Sequence, residues 1–342
     1  MPAVAAEDSA TVGGRPGAVR RAVRAHPLAV YVVRRIVTGA GLAVVVSFLV
    51  FGATQILPGN AASSILGDKA TPQAVALVTK ELGLDRPIAV QYKDWIVSFA
   101  HGDLGNSFGS GFSVSKLIGI RAQNTITLAL LALVLIIPVS IVIGVITGLR
   151  AGGALDHVFS VYSLVNIAIP EFVIGTLLIA VLAVRFHVFP AVSILPPDDP
   201  AISHPDLLVL PVLTLFIGAI AYNNRLVRAG VTEAMRSEYV KMARLNGLSE
   251  SRVVWRHALP NALAPAVQIF ASTVQWLLGG TIAVEVVFGF PGLGQGLVEA
   301  VNTRDIPVVQ AIAMYIALVY IGINIVADLI TVLLIPKLRT AQ

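Results

Sequence analysis

The chain has 342 residues, of which 56% are hydrophobic and only 13% charged, with a formal net charge of +5. So little polar surface cannot cover a water-soluble globule, and the bilayer is the expected solvent. The absence of cysteine excludes disulfides, thiolate metal sites and cysteine nucleophiles within this chain, and the basic residues flank apolar stretches instead of forming an aromatic-interleaved stripe, which argues against nucleic acid.

Residues 1–30 read as an N-terminal tail carrying Arg15, Arg20, Arg21 and Arg24. About 20 apolar residues cross a bilayer as a helix. The first such run is Ile36 to Leu57, and 31–57 is predicted to be an uncleaved anchoring helix, since the run is too long for a signal peptide and further spans follow. Residues 58–124 form an extracytoplasmic insertion by this reading. The remaining runs are Thr125 to Leu149, His157 to Val184, Leu207 to Tyr222, Ala262 to Val287 and Val308 to Ile335. Together they predict an all-α integral membrane protein of about six spans, with 125–342 as a five-helix core. Pro138, Pro170 and Pro211 interrupt the runs, and Gly144 and Gly148, spaced by four, predict close helix packing.

Orientation follows from arginine and lysine beside the spans. Arg34 and Arg35 join the tail arginines before the first span. Arg225, Arg228, Arg236, Lys241, Arg244, Arg252 and Arg256 lie between the fourth and fifth, and Lys337 and Arg339 follow the last. The positive-inside rule puts all three segments, and therefore both termini, in the cytoplasm.

Residues 230–261 differ from an ordinary connecting loop. Charged and apolar residues alternate at helical spacing on both sides of Gly247, which predicts helix, glycine stop, helix, with Ser249 as N-cap of the second. Glu233, Ala234, Gly247, Leu259 and Pro260 stand at the places of the EAA motif, and the segment resembles the EAA coupling loop of ABC importer permeases. The dipeptide/oligopeptide (and nickel) permease branch is similar more widely. Its pattern is met at Tyr239-Val240, Ala243-Arg244, Gly247-Leu248 and His257-Ala258-Leu259, and again at Leu57-Pro58-Gly59 and Leu82 through Pro87. Gln91-Tyr92, Gly102 through Gly105 with Ser107-Phe108, Glu285 through Gly294, and Arg304 through Gln310 extend the likeness over most of the chain from about residue 30. Met235, Asn246, Asn60 and Ile335-Pro336-Lys337 depart from the pattern.

The resemblance implies a type I ABC importer permease fold and a transmembrane subunit that moves di- or oligopeptides across the cytoplasmic (inner) membrane by alternating access; relatives that carry nickel or glutathione give the alternative cargo. It implies a second homologous permease, two ATP-binding subunits or domains and an extracytoplasmic solute-binding protein as partners. ATP and Mg would be bound by the ATPase partners, with no cofactor, metal or catalytic residue in this chain. That agrees with the lack of any Gly-Lys pair, which a phosphate-binding loop requires. Glu233, Ala234, Tyr239, Ala243, Arg244, Asn246 and Gly247 are the implied ATPase-coupling residues.

Other features carry sharper but weaker readings. Gly105-Asn106-Ser107-Phe108-Gly109 matches the serine-hydrolase elbow, giving intramembrane hydrolysis as a remote alternative, but no His-Glu-x-x-His accompanies it. Gly289 to Gly296 reads as a turn at the outer end of span five. His101, His187 and His204 lack ligand-like spacing. No internal repeat of the secondary-transporter kind is evident. Polar groups inside spans are costly and should face the bundle, so Asn166, Glu171, Glu285, Asn324 and Asp328 are the candidates for a substrate path.

Overall fold

The computed structural model describes residues 27–56, 63, 66, 70–196, 199–263 and 266–334. Arg15, Arg20, Arg21, Arg24, Leu57-Pro58-Gly59, Asn60, Ile335-Pro336-Lys337 and Arg339 lie outside the described residues. The described architecture is helical: α1 (Pro27–Ile56), α2 (Pro72–Glu81), α3 (Ile88–Ala100), α4 (Val114–Leu149), α5 (Ala154–Ile167), α6 (Glu171–Leu178, continued by π-helical Ile179–Arg185), α7 (Pro205–Arg236) and α8 (Glu238–Leu245). Next come α9, covering residues 250–263 with Val253–Ala258 wound as a π-helix, then α10 (Ala266–Phe288), α11 (Leu293–Thr303) and α12 (Ile306–Leu334). Five helices are long and apolar enough to cross a membrane, and the α5–α6 pair makes six if it is one broken span.

That break falls at Pro170, one of the prolines expected to interrupt the run from His157 to Val184. The two halves are bent by 104°, because Pro170 has no N–H to give and its ring forces the residue before it out of the helical region. Pro138 and Pro211 are instead carried inside α4 and α7.

Hydropathy misplaces the ends of two spans. The fourth was expected to stop at Tyr222, yet α7 runs on to Arg236, so Glu233 and Ala234 ride on its last turn instead of on a separate helix. The polar residues that end the apolar run are paired inside the bundle. Asn223 donates to the Ala219 carbonyl at 3.0 Å and accepts from Thr273 at 2.7 Å. Arg228 ion-pairs with the buried Asp156 of α5. α4 in turn begins at Val114, well before the expected Thr125, and in this added stretch Arg121 and Asn124 bond Glu299 and the Pro291 carbonyl.

α4 and α7 form the spine. A Cβ placed on Gly144 would stand 2.6 Å from the Cβ of Val227, and one on Gly148 2.8 Å from that of Val231, so these glycines let the two backbones touch. Around the spine lie a central core with Leu128, Ile136, Leu215 and Phe288, a core at the Gly247 end with Val231, Val240, Val253 and Ala258, and one at the other end with Val114, Ile118, Leu293 and Ile312. α1 packs outside on α12, tied by Arg35 to Asp328 at 2.9 Å.

Candidate functional site

The segment between α7 and α10 is a helical hairpin. Ser237, in extended backbone, separates α7 from α8. α8 ends at Gly247, whose φ of +75° is the left-handed conformation expected of a glycine stop; the Gly247 amide donates to the Arg244 carbonyl and the Leu248 amide to that of Ala243. Ser249 has the extended backbone of an N-cap, but its hydroxyl makes no capping bond. The turn is cross-braced by Arg244, which donates to both oxygens of Glu250 at 3.1 and 2.6 Å. That guanidinium holds the Glu250 carboxyl below its ordinary value.

The hairpin has two faces. Val240, Ala243, Val253, Val254 and Ala258 are buried against Val227, Val231 and Ala234 of α7. The other side leaves Tyr239, Met242, Leu245 and Trp255 exposed, Leu245 by 80% and Trp255 by 70%. Among the residues singled out by sequence, Glu233, Tyr239, Arg244, Asn246 and Gly247 are exposed, whereas Ala234 and Ala243 pack inward and contribute fit to α7 instead of surface. Met242, Leu245 and Trp255 were missed. The i, i+3, i+6 spacing of Tyr239, Met242 and Leu245, out of phase with Val240 and Ala243, was the available signal.

A second candidate lies at the α5–α6 break. A cavity of about 320 Å³ is lined there by Asn166, Glu171, Gly218, Tyr222, Asn223 and Trp276. Glu171 and Trp276 also line an adjoining, more apolar cavity of about 700 Å³ reaching α1 and α12. Asn166 is buried, and its Oδ1 has no hydrogen-bond partner among the described residues.

The other intramembrane polar groups are held elsewhere. Glu285 is fully buried, accepting from the Thr125 hydroxyl at 2.6 Å and from the Gly294 and Gln295 amides that open α11. It fastens α4, α10 and α11 together and lines neither cavity. Gln275 donates to Asn324 at 2.9 Å, and Asp328 is paired with Arg35. Of the five path candidates, the structure therefore brings only Asn166 and Glu171 together.

The hydrolase elbow is absent as geometry. Ser107 lies in an irregular segment, donates to Asp305 Oδ2 at 2.5 Å and accepts from the Ser110 amide, while the Phe108 and Gly109 amides bind the same carboxylate. The network anchors this loop to the start of α12 through Asp305, which a strained strand-to-helix turn does not do. His101 bonds the Val97 carbonyl and His204 faces Asp199, each locally.

Residues 140–340 match the family described as binding-protein-dependent transport system inner membrane component, and residues 28–129 match its N-terminal companion. A probable peptide ABC transporter permease protein of Sinorhizobium fredii is 32% identical over 91% of this chain and 100% of its own length. A putative peptide transport system permease protein of Brucella abortus is 33% identical over 90% of this chain and 98% of that one. A metal-staphylopine import system permease protein of Staphylococcus aureus is 31% identical, again over 90% and 98%.

Proposed function

We propose, for a chain that belongs to the family of binding-protein-dependent transport system inner membrane components, that it forms half of the membrane pore of an ATP-driven peptide importer. Relatives named for peptide transport, 32 to 34% identical over nine-tenths of the chain, support that cargo. The staphylopine-named relative keeps a metal chelate as a second cargo class, and nickel or glutathione find no support of their own.

The observation that carries the coupling role is the two-faced hairpin. One face is locked into α7, which runs the length of the bundle, while the other presents Tyr239, Met242, Leu245 and Trp255 beside Lys241 and Arg244. Exposed aromatic and aliphatic groups rimmed by charge fit a protein partner better than water. Seated in an ATPase subunit that binds and hydrolyses ATP with Mg, the hairpin would turn nucleotide-driven closure into a rigid-body movement of α7 and the helices packed on it. A second, related permease would complete the pore, and a solute-binding protein would deliver cargo to the opposite face. The basic residues on α7 and the hairpin support a cytoplasmic location for this end, and by the same rule for both termini.

Purification from the native membrane in mild detergent, comparing the unaltered chain with Leu245→Asp, tests the contact. Leu245 is exposed and packs against little, so the variant should fold and keep its companion permease while losing the ATPases. A variant that retains its ATPases, or an unaltered chain that elutes alone, refutes the docking surface.

A further inference from the structure

Glu171 is a half-buried ionisable group that lines both cavities. It opens α6 beside the Pro170 break, between the two halves of the bent α5–α6 pair; if that pair is one span, an ionisable side chain there is a functional candidate by default. Glu285 has three donors and Asp328 an arginine. Glu171 has no hydrogen-bond or ion-pair partner among the described residues.

Its surroundings are built to hold it there. Gly218 of α7 leaves the room: a Cβ at that position would lie 3.1 Å from the indole ring of Trp276 and 3.4 Å from Cγ of Glu171. The Glu171 side chain and the indole therefore both approach Gly218, and both line the two cavities. No arginine or lysine is among the described residues lining either cavity. A carboxylate beside an aromatic ring suits a cation, the first supplying charge and acceptors and the second its electron-rich face.

We propose that Glu171 and Trp276 form a station inside the membrane for a protonated amino group of the cargo, such as a peptide's α-ammonium group. The permease then discriminates by charge itself, in addition to any choice made by a binding protein. This rests on the importer reading above, and the experiment has one arm that does not.

The chain contains no cysteine, so Tyr222→Cys, which lines the same cavity, supplies a single thiol in this subunit of the assembled transporter. Its rate with a trimethylammonium methanethiosulfonate is divided by that with the sulfonate analogue, with and without Glu171→Gln. Loss of the carboxylate should lower this ratio by about tenfold. In proteoliposomes of the complete transporter with native Tyr222, Glu171→Gln should lower maximal uptake of a free-amine dipeptide by about fivefold or more, with cargo-free ATP hydrolysis kept within about twofold. An unchanged ratio overturns the cation site. A lowered ratio with unchanged uptake removes it from the cargo's route, and loss of hydrolysis together with uptake marks Glu171 as structural; either overturns the proposal. Unaltered protein that moves no peptide defeats the cargo reading instead, and the thiol ratio then decides the cation site alone.

Discussion

Single side chains fix this bundle where two backbones or two distant segments must meet. Gly144 is the sharpest case, since both the Cβ and Cγ1 of Val227 would lie 2.6 Å from an added methyl group. Gly144→Leu should therefore push α4 off α7 and destabilise the subunit by about 1–3 kcal/mol or more, read as a lower midpoint of unfolding in detergent. The same change at Gly119, where a Cβ meets nothing within 4 Å, should be nearly silent. Glu285→Ala should cost about 1–3 kcal/mol per donor left without an acceptor among Thr125, Gly294 and Gln295. The same midpoint measures it, and Glu285→Gln, which keeps an acceptor, should recover part of the loss. The packing role of Gly144 and Gly148 was legible from their spacing. That Glu285 is a clasp was not, because its partner Thr125 lies 160 positions away and nothing local distinguishes a clasp from a pore-lining acid.

At the scale of elements, Gly247 decides whether the hairpin exists. A Cβ there meets nothing within 4 Å, so alanine tests backbone conformation alone, and at φ +75° it should cost about 1 kcal/mol. Proline, held near φ −65°, cannot adopt the turn and also removes the amide bonded to Arg244. Gly247→Ala should accordingly retain the ATPases and Gly247→Pro lose them on co-purification, an ordering that a purely topological role for this segment would not produce. The Arg244–Glu250 brace adds a pH dependence of known sign. The Glu250 carboxyl is lowered in the folded hairpin, so its contribution is present above the unfolded carboxyl value and disappears as pH falls through the folded one. Both side chains are largely exposed, so the loss is at most about 1 kcal/mol, visible as faster amide exchange in α8 under acid and absent near neutrality. The glycine stop was legible because left-handed backbone selects glycine. The breaks and run-ons were not: Pro170 ends a helix while Pro211 does not, and Asn223 and Arg228 look like a loop until Thr273 and Asp156 are there to pair with them.

For the molecule as a whole, helices alone are indifferent to which end faces which compartment, and charge decides it. Composition made the membrane class legible, and apolar runs gave the number of spans because backbone in hydrocarbon has few alternatives to helix. Orientation depends on charge bias at the ends, including tail and C-terminal arginines outside the described residues, and so rests mainly on the basic surface of the last turns of α7 and the hairpin. The cysteine-free chain makes it measurable. Lys80→Cys on exposed α2 and Ser251→Cys on the exposed hairpin lie in the segments assigned to opposite sides, and neither replaces a buried group. In intact cells, or in spheroplasts where an outer membrane is present, an impermeant maleimide should label the first at once and the second only after permeabilisation. The reverse pattern would put the hairpin outside, where no nucleotide is available, and would remove the ATPase from its partners along with the direction of transport.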